Sequence, residues 1–220
     1  MSSRTLYIGA DFSIAKPALS LFYNNKLYFA IFPQKITDKE ETILKEGGIE
    51  VFNRNLDVVD KTDPEEIFKL TKRYTDLSLQ IWDYINTFDF DDCYFASEGL
   101  SYGSKGNATL ELSGAKYILL STLYNHKINR FYTYSPITLK KTAGVSKKEP
   151  GQTKSDTMKK LAMIEAFKKE QPLNRFMEEF INNDRQFINK TAYIHTIDDI
   201  VDSYWCLKTL SEKENLNLFR

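Results

Sequence analysis

Residues that often announce a site are scarce in this chain of 220 residues: two cysteines, Cys93 and Cys206, and two histidines, His126 and His195. One pair of cysteines makes no disulfide framework, and both lie in apolar contexts that suit buried thiols. Two histidines make no histidine-rich metal site, and His195 reads as a surface or capping residue. No G-x-x-x-x-G-K-[ST] phosphate loop is present, and there are no internal repeats. No apolar run reaches the roughly 18 residues of a membrane span. The opening Met1-Ser2-Ser3-Arg4-Thr5 lacks the apolar stretch of a signal peptide, so the expected setting is cytoplasmic rather than secreted. Net charge is also lacking: 30 Lys and Arg stand against 30 Asp and Glu. At first sight that argues against a partner as anionic as nucleic acid. What is present is a globular composition, 42% hydrophobic, 14% aromatic and 27% charged, which fits one domain over residues 1–220.

The charges are not evenly mixed. From Asp38 to Glu66 there are ten acidic and four basic residues, a local net of −6. From Lys140 to Lys160 there are seven lysines against Glu149 and Asp156, a local net of +5. The basic run holds Gly144, Pro150 and Gly151, so part of it reads as loop, and lysines on a loop can reach phosphates.

Periodicity yields an element order of β-β-β-α-β-α-β-α-α. Leu6–Phe12 is apolar and bounded by turn-formers, and the runs 18–23 and 26–32 flank Asn24-Asn25, a hairpin signal. Residues 33–62 show no clean period and read as a loop or peripheral insertion. Asp63-Pro64-Glu65-Glu66 reads as a cap, a proline at the first helical position and an acidic first turn. Apolar residues at spacings of three and four then predict a helix to about Asn86. A short strand over 93–97, a helix over 108–125 and a strand over 131–134 follow, then helices at about 153–169, 172–182 and 197–212. Trp82 and Trp205 fall on apolar helix faces and read as core. The pattern predicts an α/β fold: a mixed sheet of about five strands, the first three antiparallel, with helices on both faces.

Three acidic positions stand out. Asp11 ends the first apolar strand, Glu98 ends the fourth, and Asp198, Asp199 and Asp202 open the last helix. Asp199 and Asp202, three apart, share a helix face, as do Asp198 and Asp202, four apart; Asp198 also suits an N-cap. A carboxylate embedded in an apolar strand is costly unless compensated, and several together repel. A hard divalent cation, Mg²⁺ or Mn²⁺, removes both costs, and two ions about 4 Å apart can hold a phosphodiester and activate water.

The motifs resemble those of the RuvC-type Holliday-junction resolvases, within the ribonuclease H-like and retroviral integrase superfamily. Four stretches carry the resemblance: Ile8–Ser13 with Pro17-Ala18-Leu19; Ser97-Glu98 with Asn107 and Leu112–Lys116; Ser135-Pro136 with Lys140, Lys141, Gly144 and Lys154; and Asp199-Ile200-Val201-Asp202. The resemblance implies a ribonuclease H-like nuclease domain with two bound Mg²⁺ ions, for which Mn²⁺ can substitute. It implies Asp11, Glu98, Asp199 and Asp202 as catalytic metal ligands, with Asp199 preferred over Asp198 on D-x-x-D spacing. Lys154 would stabilise charge on the scissile phosphate, and Lys140 would position it. The DNA-facing set would include Lys141, Lys147, Lys148 and Lys105. The family wedges an apolar or aromatic residue into the junction shortly after the second acid. Ser101 stands at the expected spacing, so Leu100 and Tyr102 are the candidates for that part. The implied activity is symmetric cutting of four-way or other branched DNA by a homodimer, with no membrane involved. The helices near 64–86 and 108–125 are candidates for the dimer face. Other nucleases on the same sheet, acting on RNA–DNA hybrids, flaps or transposon ends, fit the acids equally well. A non-catalytic branched-DNA binder would have lost an acid, and none is missing. An actin-like kinase lacks its second glycine-rich motif here. Abundant Lys and Asn point to an AT-rich genome, such as that of a phage.

Overall fold

The structure, a computed structural model, describes residues 4–54, 63–99, 107–145, 156–170 and 192–219. Strands β1 (Thr5–Asp11), β2 (Ala18–Tyr23) and β3 (Lys26–Ile31) form an antiparallel meander. Its tight turn sits at Asn24 and Asn25, whose φ angles of 50° and 57° are the left-handed pair that a two-residue hairpin of this hand requires.

The segment expected to be loop is partly regular. Helix α1 (Asp38–Glu46) and strand β4 (Ile49–Val51) follow β3. Thr37 caps α1 by accepting from the Glu40 N–H at 3.3 Å, three acids sit in the first turn, and Glu41 pairs with Lys45 one turn on at 2.6 Å. This helix is charged almost all round, with Leu44 as its deepest apolar anchor at 0% exposure, and that is why a hydrophobic period fails to find it. β4 then pairs parallel with β3 at the sheet edge, so the sheet has six strands rather than five.

The remaining elements are α2 (Glu66–Ile85), β5 (Asp92–Glu98), α3 (Asn107–Asn125), β6 (Arg130–Tyr134), α4 (Pro136–Thr142), α5 (Asp156–Lys168) and α6 (Ala192–Lys213). The expected helix at 172–182 and residues 55–62 lie outside the described residues. The strand order is β4-β3-β2-β1-β5-β6, with β1, β5 and β6 mutually parallel. This is the α/β fold expected, a mixed sheet whose first three strands are antiparallel, with β4 added at one edge.

Alternation along the central strands sorts the side chains. Leu6, Ile8 and Ala10 face the core shared with Leu77 and Ile81 of α2 and Leu119 and Leu123 of α3. Tyr7, Gly9 and Asp11 therefore face the opposite side, as do Tyr94, Ala96 and Glu98 on β5. That second side is covered by α6, whose Leu207 and Leu210 pack on Ala96. Across the sheet, Ser20, Gly9 and Ala96 stand in register on three adjacent strands. Three small residues in a row leave a trough, and the α6 backbone lies in it. A Cβ on Gly9 would stand 2.2 Å from the Ser203 carbonyl oxygen and 2.3 Å from the Leu207 nitrogen. Beside it, the Ser20 and Ser203 hydroxyls hydrogen-bond at 2.7 Å, both fully buried.

Because the obstruction at Gly9 is backbone, it cannot be relieved by a rotamer change. Gly9→Ala is expected to cost about 3 kcal/mol, the upper part of the usual overpacking range, or roughly 6–12 °C in Tm for a chain of this size. Thermal unfolding of the purified variant checks this; an unchanged Tm would contradict the close approach.

Candidate active site

β1 and β5 pair through Ala10↔Ser97, and the next residue on each strand is an acid, Asp11 or Glu98. Both side chains point to the α6 side, at the carboxyl ends of neighbouring parallel strands. Gly9 seats the α6 backbone at Ser203, so the residues just before Ser203 lie over the strand ends. Asp202, Asp199 and Asp198 are those residues. Ile197, Ile200, Val201, Tyr204 and Trp205 anchor this stretch with at most 5% exposure.

The structure brings Asp11, Glu98, Asp199 and Asp202 together, which tertiary contact alone achieves. Asp11 and Asp199 share a hydrogen bond. Burial pushes the Asp11 carboxyl well above the usual range, and the charges of Asp199, Glu98 and Asp198 push it further. Burial likewise raises Asp202 well above it, helped by Asp11, Asp198 and Glu98. Asp199 is pushed up to about 8 by burial and by Asp198. Glu98 is raised by burial against the pull of Lys140 and Lys116.

Asp198 departs from expectation. α6 begins at Ala192, so Asp198 lies inside the helix and is not its N-cap. The helix runs on upstream because Ile197 and the apolar residues after it are held by packing, which outweighs the capping preference of an aspartate. Asp198 is 3% exposed and forms an ion pair with Lys160 of α5.

Lysines reach the cluster from four places. Lys140 and Lys160 line a cleft of about 260 Å³ together with Glu98, Asp198 and Asp202. Lys16, after β1, pairs with Glu40 at 3.4 Å and pulls the Asp199 carboxyl down. Lys116 of α3 is 8% exposed and donates to the Glu98 carbonyl at 2.5 Å. Lys140 and Lys141 stand on α4, a short helix capped by Ser135 with Pro136 at its start, an element the sequence reading did not assign. Lys141 is exposed. The sequence reading gave no role to Lys16, Lys116 or Lys160; a lysine carries no signal of burial until its helix is placed. Leu100, Tyr102, Lys105, Lys147, Lys148 and Lys154 lie outside the described residues.

Cys206 is fully buried beneath the acids and Cys93 is buried in the opposite core, as expected of inert thiols. Trp205 is core at 2% exposure, while Trp82 is partly covered and stacks on His126 at 4.2 Å. Tyr132 stacks on Tyr94, which makes it packing rather than site.

The acids fit a hard divalent cation chemically, since the donor set is all oxygen and its mutual repulsion is what such a cation relieves. The shell is not preformed: among the described residues no three acids, histidines or cysteines are set out as a ready ligand group. Asp198 is held by Lys160, and Asp11 and Asp199 are held to each other.

No family model and no curated protein matches the sequence. Among solved structures, the chain is similar to Thermus thermophilus RuvC in complex with a Holliday junction substrate, at 12% identity over 97% of both chains with a TM-score of 0.49. It is also similar to a second Thermus thermophilus RuvC structure, at 10% identity over 97% of both chains with a TM-score of 0.43. Likeness this loose assigns no activity, and the chemistry rests on the acid cluster. Among the described residues no helix is long and apolar enough to cross a membrane.

The raised carboxyls carry a pH signature. A folded pKa above the unfolded value of about 4 stabilises the fold below that pH. The contribution is lost as pH rises toward about 8, where Asp199 titrates. Even one pKa unit is about 1.4 kcal/mol, so in EDTA the Tm is expected to fall by at least about 3 °C between pH 5 and pH 8. Asp11→Asn should flatten that fall and raise the Tm at pH 8. Scanning fluorimetry across this range checks both, and equal slopes for the two proteins would contradict the cluster.

Proposed function

We propose that this chain is a divalent-metal-dependent endonuclease that cuts four-way or other branched DNA, working as a homodimer in the cytoplasm of a bacterium or of a phage-infected cell. The observation that carries the reading is the convergence of Asp11, Glu98, Asp199 and Asp202 at one end of the central strands, beside a cleft lined by Lys140 and Lys160. Carboxylates alone would repel a phosphodiester. Carboxylates with lysines on the same cleft suit one once their own charge is neutralised.

Asp11, Glu98, Asp199 and Asp202 are the residues that would hold Mg²⁺. Bound there, one or two such ions would lower the pKa of a water and stabilise the departing oxygen, leaving a 5′-phosphate and a 3′-hydroxyl. Lys140 orients the phosphate at the cleft, and Lys154 is assigned to the charge that develops on it. Asp198 keeps Lys160 at the cleft wall, where its ammonium faces the incoming backbone. DNA contact is confined to this face, which is how a chain of zero net charge binds a polyanion.

A four-way junction has two-fold symmetry, so two symmetric cuts call for two copies. The proposed dimer face is α2 with α3. Ile67 and Phe68 at the start of α2 and Leu110 at the start of α3 are 81%, 68% and 73% exposed, and Tyr117 and Tyr124 continue the surface at 71% and 64%. Several large apolar side chains left exposed on two helices that pack together are what a contact site would use.

Incubation with Mg²⁺ and a labelled four-way junction, a linear duplex or an RNA–DNA hybrid tests the activity. The expected result is paired cuts in the junction alone, abolished by EDTA and reduced at least about 100-fold by Asp11→Asn, about 2.7 kcal/mol in the barrier. Lys154→Ala should slow cutting far more than it weakens junction binding. An intact junction, or normal cutting by Asp11→Asn, overturns the reading, and preferential cutting of the hybrid replaces it. In light scattering the protein should have twice the 25.6 kDa of one chain, and the double variant Phe68→Glu, Leu110→Glu should be monomeric.

A further inference from the structure

Past Ala10↔Ser97, β1 and β5 part company. β1 goes on pairing with β2 at Asp11↔Ala18, and β5 with β6 at Glu98↔Tyr134. Backbone groups alternate sides along a strand. The Gly99 N–H donates to the Tyr134 carbonyl at 2.7 Å on the β6 side, so the Glu98 carbonyl points toward β1, into the split beyond the last β1–β5 pair. A carbonyl turned into the sheet there, with no strand partner, needs another donor.

The donor is the Lys116 ammonium, at 2.5 Å. Lys116 belongs to α3, on the sheet face opposite α6. Its neighbour Ala115 is fully buried, and Leu119, one turn on, is 1% exposed. The ammonium is thus delivered by a firmly packed helix, and the residue as a whole is 8% exposed. Burying a lysine for one carbonyl is poor economy in isolation, but here the nearby charges are Glu98 and Asp11.

We propose that Lys116 is a positioning residue for the acid cluster: it fills the split between β1 and β5, holds the end of β5 through the Glu98 carbonyl, and thereby sets where the Glu98 carboxylate stands relative to Asp11. The consequence for metal rests on the nuclease reading above; the tether itself does not. A lysine that served only as a balancing charge would behave differently. Its removal would leave the cluster more negative and its grip on a divalent cation tighter, whereas loss of the tether leaves a ligand misplaced and the grip looser.

The test uses Lys116→Met, which keeps the length of the stem without donor or charge, and Lys116→Arg, which restores a buried cationic donor. Hydrogen–deuterium exchange is followed in EDTA, and Mn²⁺ binding is followed by the paramagnetic resonance of free Mn²⁺ without DNA. In Lys116→Met the amides of residues 97–99 should exchange faster by about tenfold while those of β2 do not change. Its Mn²⁺ affinity should fall by about 10-fold or more, as on loss of a partner that orients a ligand. Lys116→Arg should recover most of both. If Lys116→Met does not fold, Lys116→Gln, whose shorter side chain keeps polarity but falls short of the Glu98 carbonyl, takes its place with the same expectations. Unchanged exchange at 97–99, or Mn²⁺ held as tightly as in the parent protein or more so, overturns the proposal. If the parent protein binds no Mn²⁺, the metal-nuclease reading falls while the exchange result still decides the tether.

Discussion

The close approach of α6 to β1 is the contact on which the rest depends. It is made possible by the absence of a side chain at Gly9 and by the small residues beside it, Ser20 and Ala96. With backbone against backbone, the helix has one seating. The Ser20–Ser203 hydrogen bond then locks its position along the strand, because a shift would leave the buried Ser20 hydroxyl without its partner, while Ser203 would keep only its own helix's Ile200 carbonyl. That seating places the start of α6 over the ends of β1 and β5, and so determines that three aspartates meet Asp11 and Glu98. A bulkier residue in the trough would lift the helix and spread the acids, whatever their spacing in the chain.

Bringing five carboxylates to one place opposes folding. The protein accommodates this by hydrogen bonding within the cluster, between Asp11 and Asp199, and by lysines drawn from separate elements. Lys16 follows β1, Lys116 lies on α3, Lys140 on α4 and Lys160 on α5. None of these residues is close to an acid in sequence except Lys16, so the balance exists only in the folded state. The zero net charge is therefore not an even mixture. It is a charged site surrounded by compensating groups, with the acidic excess of α1 and its flanks on the same chain.

Much of this was legible before the fold was known. Apolar runs bounded by turn-formers and the Asn24-Asn25 turn specified the meander, and the spacing of Tyr74, Leu77, Ile81 and Tyr84 specified α2, because burial of one face leaves a period in the sequence. Asp11 and Glu98 stood out because a charge in an apolar strand conflicts with local preference. α1 and β4 were not legible. Their stability comes from a cap, intrahelical ion pairs and the shelter of Leu44, none of which leaves an apolar period. Asp198 read as a cap because the helix was taken to start where capping chemistry was best, whereas the helix already runs from Ala192.

By itself the sequence determined the α/β class, the order of the central elements and the identity of the acids at their ends. Each of these follows from a residue's preference for its immediate surroundings. The tertiary structure alone decided that the acids converge, that Asp198 serves Lys160, and that a lysine from the far face of the sheet reaches the Glu98 carbonyl. Those relations join residues up to roughly 190 positions apart, set by the depth of a trough rather than by spacing, and no local pattern encodes a depth.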